Sequence, residues 1–105
     1  MGQGYTPLEM LLMSLAACSG GTIGLLLRKM GKTISAIKVN AKGTRRDQHP
    51  TSFQKILLEF SVSSNDIKDA DVQKAIKLAE ESVCPVRAMV KGNAEITTEY
   101  EILPL

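Results

Sequence analysis

Tryptophan is missing from this chain, and its aromatic side chains are two tyrosines and two phenylalanines. Leucine, isoleucine, valine, alanine and methionine must therefore supply the packing. The same scarcity excludes the aromatic-and-basic interleaving on which single-stranded nucleic acid stacks. A formal net charge of +2 points to no polyanionic partner, so no nucleic acid is expected. One histidine and two cysteines fall short of a closed zinc site unless carboxylates help, and neither metal nor other cofactor is expected. The two cysteines, Cys18 and Cys84, belong to no CxxC motif, and a secreted domain this small would carry more of them. A cytoplasmic location is the expectation. The length of 105 residues suits one domain, residues 1–105, with a modest core.

Charge is absent altogether from Met10 to Leu27. A surface helix would show a polar stripe at a period of about 3.6 residues, and this run shows none. Thr6 can cap a helix, Pro7 suits its first turn, and Glu9 stands three residues after the cap, which together make a capping box. The helix so begun runs to about Met30, where Gly31 can end it. It is either buried on nearly all sides or in a membrane. The run reaches only the lower limit of a span, about 17–18 residues, and its serine, threonine and glycine content weakens it. Leu15-Ala16-Ala17-Cys18 also resembles a lipobox, but no Lys or Arg precedes it and the apolar pattern continues to Leu27. A buried core helix with no membrane is therefore the expectation. Its centre, Ala16 to Gly21, consists of small residues that allow another backbone to come close.

Beyond Gly31 the periodicity changes. Ile37, Val39 and Ala41 alternate with Lys38, Asn40 and Lys42, which predicts a strand over 32–45. A polar turn over 45–52 holds the single histidine, His49, flanked by Gln48 and Pro50 as an exposed loop residue would be. A second strand follows over 53–63, and the short link predicts that the two pair antiparallel. An amphipathic helix over 64–82 has Val72, Ala75, Ile76, Ala79 and Val83 as its apolar stripe. Cys84-Pro85 breaks that pattern and starts a short helix with Cys84 at its N-cap. After Gly92-Asn93 a last strand runs over 94–103. The order is helix, strand, strand, helix, short helix, strand: an α+β fold with a three-stranded sheet. Such a sheet cannot cover a helix that is apolar all round, and a second copy of the chain is the simplest cover.

Pro7-Leu8-Glu9-Met10-Leu11-Leu12 and Ser14-Leu15-Ala16-Ala17-Cys18, followed far downstream by Val83-Cys84-Pro85-Val86, resemble the OsmC/Ohr family of osmotically inducible and organic hydroperoxide resistance proteins. The resemblance covers essentially the whole chain. It implies an OsmC-like fold: a long buried central helix with antiparallel strands, in an intertwined homodimer with the cysteine-bearing helices at its centre. It also implies a thiol-dependent peroxidase for organic hydroperoxides. Cys18 would be oxidised to a sulfenic acid, Cys84 would condense with it to a disulfide, and a dithiol such as a lipoylated protein would reduce the product. The chemistry is compatible, because a thiolate is the nucleophile and condensation with a nearby thiol is the reversible branch of cysteine oxidation. A helix N-cap favours a thiolate at Cys84, whereas Cys18, in mid-helix, needs a donor or cation from elsewhere. From the residues alone, Cys18 reads first as a small buried hydrophobe in a close helix contact, and the resemblance turns the reading to a redox role.

Glu9 is the third residue carried over, and its position departs from the family's pattern. In hydroperoxide-reductase members the carboxylate directly follows the proline, but here Leu8 stands there. Nine residues of helix separate Glu9 from Cys18 by about 13 Å of rise and half a turn of phase. Glu9 can reach Cys18 only across an antiparallel pair of helices from two chains, and the capping box accounts for it without any catalytic role. Family members also have strands before this helix, which supply an arginine that orients the cysteine. This sequence begins almost at the helix, as a piece of a longer protein or a short form would. Arg45, Arg46 and Arg87 are the candidate replacements, and each also reads as a solvated surface charge. The runner-up function is an OsmC-like dimer without the reaction, binding an apolar small molecule or serving as an interaction module.

Overall fold

The computed structural model describes residues 6–104. Helix α1 spans Pro7–Lys29 and begins as the sequence predicts. Thr6 is its N-cap, Pro7 its first residue, and the Glu9 amide donates to Thr6 Oγ1 at 3.2 Å. The Thr6 hydroxyl in turn donates to Glu9 Oε1 at 3.0 Å. Gly31, at φ +83°, ends the helix in the left-handed region that other residues rarely adopt. Arg28 and Lys29 in the last turn complement the helix dipole.

Strands β1 (Ala36–Arg45) and β2 (Phe53–Ser63) form an antiparallel hairpin in which Ile37 faces Val62, Val39 faces Phe60 and Ala41 faces Leu58. The polar turn between them holds His49, exposed as expected. Helix α2 (Asp69–Leu78), one π-helical turn (Ala79–Val83) and helix α3 (Pro85–Val90) then carry the chain across the sheet to β3 (Glu95–Leu103). The sheet order is β1-β2-β3.

Two details differ from the sequence reading. The strands are not all antiparallel, because β3 pairs with β2 in parallel. A connection through two helices returns the chain to the starting end of the sheet, and this is the geometry that permits parallel pairing. The second difference lies in the apolar stripe of α2. Val72, Ala75 and Ala79 are buried as predicted, but Val83 is 44 % exposed. The π turn, closed by the bond from Cys84 N to Ala79 O, takes in one residue more than an α-helical turn. The inward position therefore passes from Val83 to Cys84, which is only 4 % exposed.

The core lies between the helices and one face of the sheet. The central strand contributes Ile56, Leu58, Phe60 and Val62, and α1 contributes Leu15, Ile23 and Leu27. The other face of the sheet is polar, with Lys38, Asn40, Glu59, Ser61, Glu99 and Glu101. Helix α1 meets β1 closely at Gly20, where a β-carbon would stand 2.6 Å from Val39 Cγ2. In one chain α1 is covered on one side only. Met10, Met13 and Leu25 are about half exposed, and Ala17 and Gly21 are also exposed on that face. By length and hydropathy α1 would cross a membrane, but its other face packs on the sheet as a core helix does.

Candidate active site

The two cysteines come together between α1 and α3. Cys84 donates a thiol hydrogen bond to Cys18 Sγ at 3.0 Å, and both are free thiols. Each reaches this place for a local reason. Cys18 lies in the small-residue segment of α1, where nothing bulky separates it from the facing chain. Cys84 is carried inward by the π turn and then held by Pro85, which can start α3 because the first turn needs no amide donor there. Ser19 Oγ lies 3.8 Å from Cys84 Sγ on its other side.

Burial is the main cause that raises the Cys18 thiol above its ordinary value of 9.0, and the hydrogen bond with Cys84 adds to it. Two groups act the other way: the backbone amide of Val86 and the side chain of Thr22. These are the donors that a mid-helix cysteine lacks from its own backbone. Val86 lies in the first turn of α3 and Thr22 one turn further along α1. Both escape a reading based on cysteine spacing, because neither residue type signals chemistry by itself.

Glu9 is not part of this cluster. Its carboxylate is engaged with the Thr6 hydroxyl at the far end of α1, nine residues from Cys18. The three arginines separate clearly. Arg45 braces the hairpin turn through Thr51, with Nε donating to the Thr51 carbonyl at 2.6 Å. Arg46 lines a groove of about 470 Å³ with Leu8, Leu11, Phe53, Ile56 and Met89. Arg87 is the one that accompanies a cysteine. Its side chain is 13 % exposed and paired with Glu80 at 3.5 Å, and it lines the same small cavity as Cys84. The solvated surface charge expected from the sequence is thus not what Arg87 is.

Among the described residues no cluster of His, Cys, Asp and Glu is arranged to hold a metal. The site's chemistry is that of two thiols in contact.

The sequence pattern of OsmC-like proteins matches residues 1–99. The chain belongs to the OsmC-like family. Protein YhfA of Escherichia coli K12 is 34 % identical over 98 residues, which cover 93 % of this chain and 73 % of YhfA. A crystal structure of an Aquifex aeolicus VF5 protein superposes with a TM-score of 0.91 at 30 % identity, over 98 % of this chain and 77 % of that one. The organic hydroperoxide resistance protein OhrB of Bacillus subtilis shares the fold, with a TM-score of 0.71 at 21 % identity over 94 % of this chain and 72 % of OhrB. The OsmC-like α+β fold, with its long N-terminal helix and three-stranded sheet, is therefore established. The proteins that share this fold include several named for organic hydroperoxide resistance.

Proposed function

We propose that this OsmC-like chain is a two-cysteine thiol peroxidase for organic hydroperoxides. The observation that carries the reading is the 3.0 Å contact between Cys84 and a partly exposed Cys18. The Cys18 thiolate attacks the terminal oxygen of R–O–O–H. The S–O bond forms, the O–O bond breaks, and the alkoxide leaves as the alcohol after taking up a proton. The Val86 amide and Thr22 side chain favour the thiolate that starts this step. Cys84 then attacks the sulfenic sulfur: the S–S bond forms, the S–O bond breaks, and the oxygen departs as water. Thiol–disulfide exchange with a dithiol restores both thiols, which suits a reducing compartment such as the cytoplasm.

The alkyl part of the substrate has an apolar place to lie. The groove lined by Leu8, Leu11, Phe53 and Met89 lies along the first half of α1, the helix that carries Cys18. A second copy of the chain is the occupant we assign to the uncovered face of α1. A two-fold axis at Ala17 sets Met13 of one copy opposite Gly21 of the other, so a long side chain meets a gap.

The competing reading, a dimeric fold that has kept the architecture without the reaction, draws support from the raised Cys18 thiol, which leaves little thiolate at neutral pH. Peroxide consumption with cumene hydroperoxide and dihydrolipoamide separates the two. The expected result is turnover by the wild type that Cys18→Ser abolishes, with one Cys18–Cys84 disulfide after a single equivalent of peroxide. No turnover, with both thiols still titratable, would overturn the peroxidase.

A further inference from the structure

The cavity behind Cys84 is lined by Ser19, Glu80, Cys84, Arg87 and Thr98 among apolar residues from α1, α2 and β2. At about 10 Å³ it is no larger than one water molecule, so its walls are near neighbours. Arg87 and the buried Cys84 line the same cavity, and the cation there is held by one carboxylate that is itself held by a hydroxyl. Glu80 pairs with Arg87 at 3.5 Å, and Thr98 Oγ1 donates to Glu80 Oε1 at 3.2 Å. Glu80 lies in the π turn and Arg87 in α3, so the ion pair joins the irregularity that turns Cys84 inward to the helix that follows the thiol. Cys84 is the N-cap of α3 and Arg87 lies in its first turn, and both side chains line the cavity. Of the pair, Arg87 is the more enclosed, with its side chain 13 % exposed.

We propose that Arg87, fixed by Glu80 and Thr98, is a positioning residue for disulfide closure, stabilising the negative charge that develops on Cys84 Sγ as it attacks Cys18. In that step Cys18–S–OH and H–S–Cys84 give the S–S bond and water, the Cys84 proton leaving with the departing oxygen. A guanidinium already oriented when the charge appears stabilises it without reorganising. Arg87 takes no part in the earlier attack on the hydroperoxide, whose developing charge lies on Cys18 and the substrate oxygen. The role rests on the two-thiol reading above, but closure can be driven without a peroxide.

Diamide does this. The Cys18 thiolate adds to its N=N bond, and Cys84 then attacks the Cys18 sulfur and expels the hydrazine, closing the same disulfide. Quenched-flow mass spectrometry on the reduced full chain resolves adduct formation from closure. In R87Q closure should slow by about tenfold, the effect of losing one charge-assisted contact, with adduct formation at Cys18 unchanged. R87K should recover most of the closure rate, and E80Q, which leaves the cation unheld, should fall between. Closure in R87Q at the wild-type rate, or R87K as slow as R87Q, would overturn the proposal. Should R87Q fail to fold, E80Q and R87K decide: slowing in the first with near-normal closure in the second supports the role, and any other pattern refutes it. A wild type that closes with diamide yet is inert to cumene hydroperoxide would defeat the peroxidase and leave the role of Arg87 standing.

Discussion

The thiol proton of Cys84 is directed at Cys18 Sγ, 3.0 Å away, and this contact helps to raise the Cys18 thiol. Burial and Cys84 both favour the neutral form of Cys18. The rate of Cys18 alkylation by iodoacetamide should therefore have its pH midpoint above 9.0 in the wild type. Cys84→Ala removes the hydrogen bond and the nearby charge but leaves most of the burial, so the midpoint should move down towards 9.0. A midpoint that does not move would mean that burial alone sets the titration, and one that moves up would mean that Cys84 favours the thiolate. The linkage has a definite sign. A thiol whose folded-state value is raised holds its proton more tightly when folded, so its contribution to stability is complete below the ordinary value. That contribution is lost as pH rises through the raised one. Alkaline unfolding curves of wild type and Cys18→Ser should thus diverge only above about pH 9.

Gly20 is where α1 comes closest to the sheet, and its lack of a side chain makes that approach possible. A methyl group there would stand 2.6 Å from Val39 Cγ2, on a β-branched side chain with little freedom to turn away. Gly20→Ala should cost about 1–3 kcal/mol in urea unfolding, against the gain in helix propensity. Adding Val39→Ala should return part of the loss, since the two positions share one contact. If the single substitution proves stabilising, the close packing of α1 on β1 is wrong.

Much of this architecture was legible in the sequence, and the misses share a cause. Alternation at Ile37, Val39 and Ala41 and at Ile56, Leu58, Phe60 and Val62 marked both strands of the hairpin, because one buried face imposes a period of two. Thr6, Pro7, Glu9 and Gly31 marked both ends of α1 because caps are local chemistry. The parallel pairing of β3 was not legible, because pattern records which face is buried and not which way a strand runs. The π turn was likewise invisible. An apolar period of 3.6 carried forward from Ala79 places Val83 inside, and only the extra residue in the turn replaces it with Cys84. In the site, the cysteines stood out by residue type and by the family motif. Val86 and Thr22 act on Cys18 through an amide and a hydroxyl, Glu80 and Thr98 line the cavity that Cys84 also lines, and only the fold brings these residues together.

Asp66 ties the start of β1 to the end of β2. The Thr33 amide donates to both of its oxygens at 3.1 Å, and the Ser64 hydroxyl donates to Oδ1 at 2.8 Å. The Ser64 and Thr33 bonds hold the carboxyl below its ordinary 3.8, with nearby Lys32 adding a smaller effect. A depressed acid stabilises the fold above its unfolded value and loses that contribution as pH falls through the folded one. The wild type should therefore lose stability below about pH 4, and Asp66→Asn should flatten that limb of the curve while lowering stability at neutral pH. Parallel curves for the two proteins would show that other carboxylates govern acid unfolding.

Met13 tests what covers the outer face of α1. It is half exposed in one chain, amid Met10, Ala17, Gly21 and Leu25, with no charge on that face between Met10 and Leu27. A lysine at this position costs a monomer little, since water reaches it. In a two-fold dimer centred on Ala17 it would bury an ammonium group against Gly21 of the other copy, twice per assembly. Breaking or burying an unpaired charge costs several kcal/mol, so Met13→Lys should weaken association by at least about 100-fold. Sedimentation equilibrium at micromolar concentration should find the wild type dimeric and Met13→Lys monomeric, with the helical content of both retained. A wild type that sediments as a monomer would overturn the second copy as the cover. A dimer unaffected by Met13→Lys would place the interface on another face, and the Cys18–Cys84 pair would then have to work without the apolar shell that a partner helix provides.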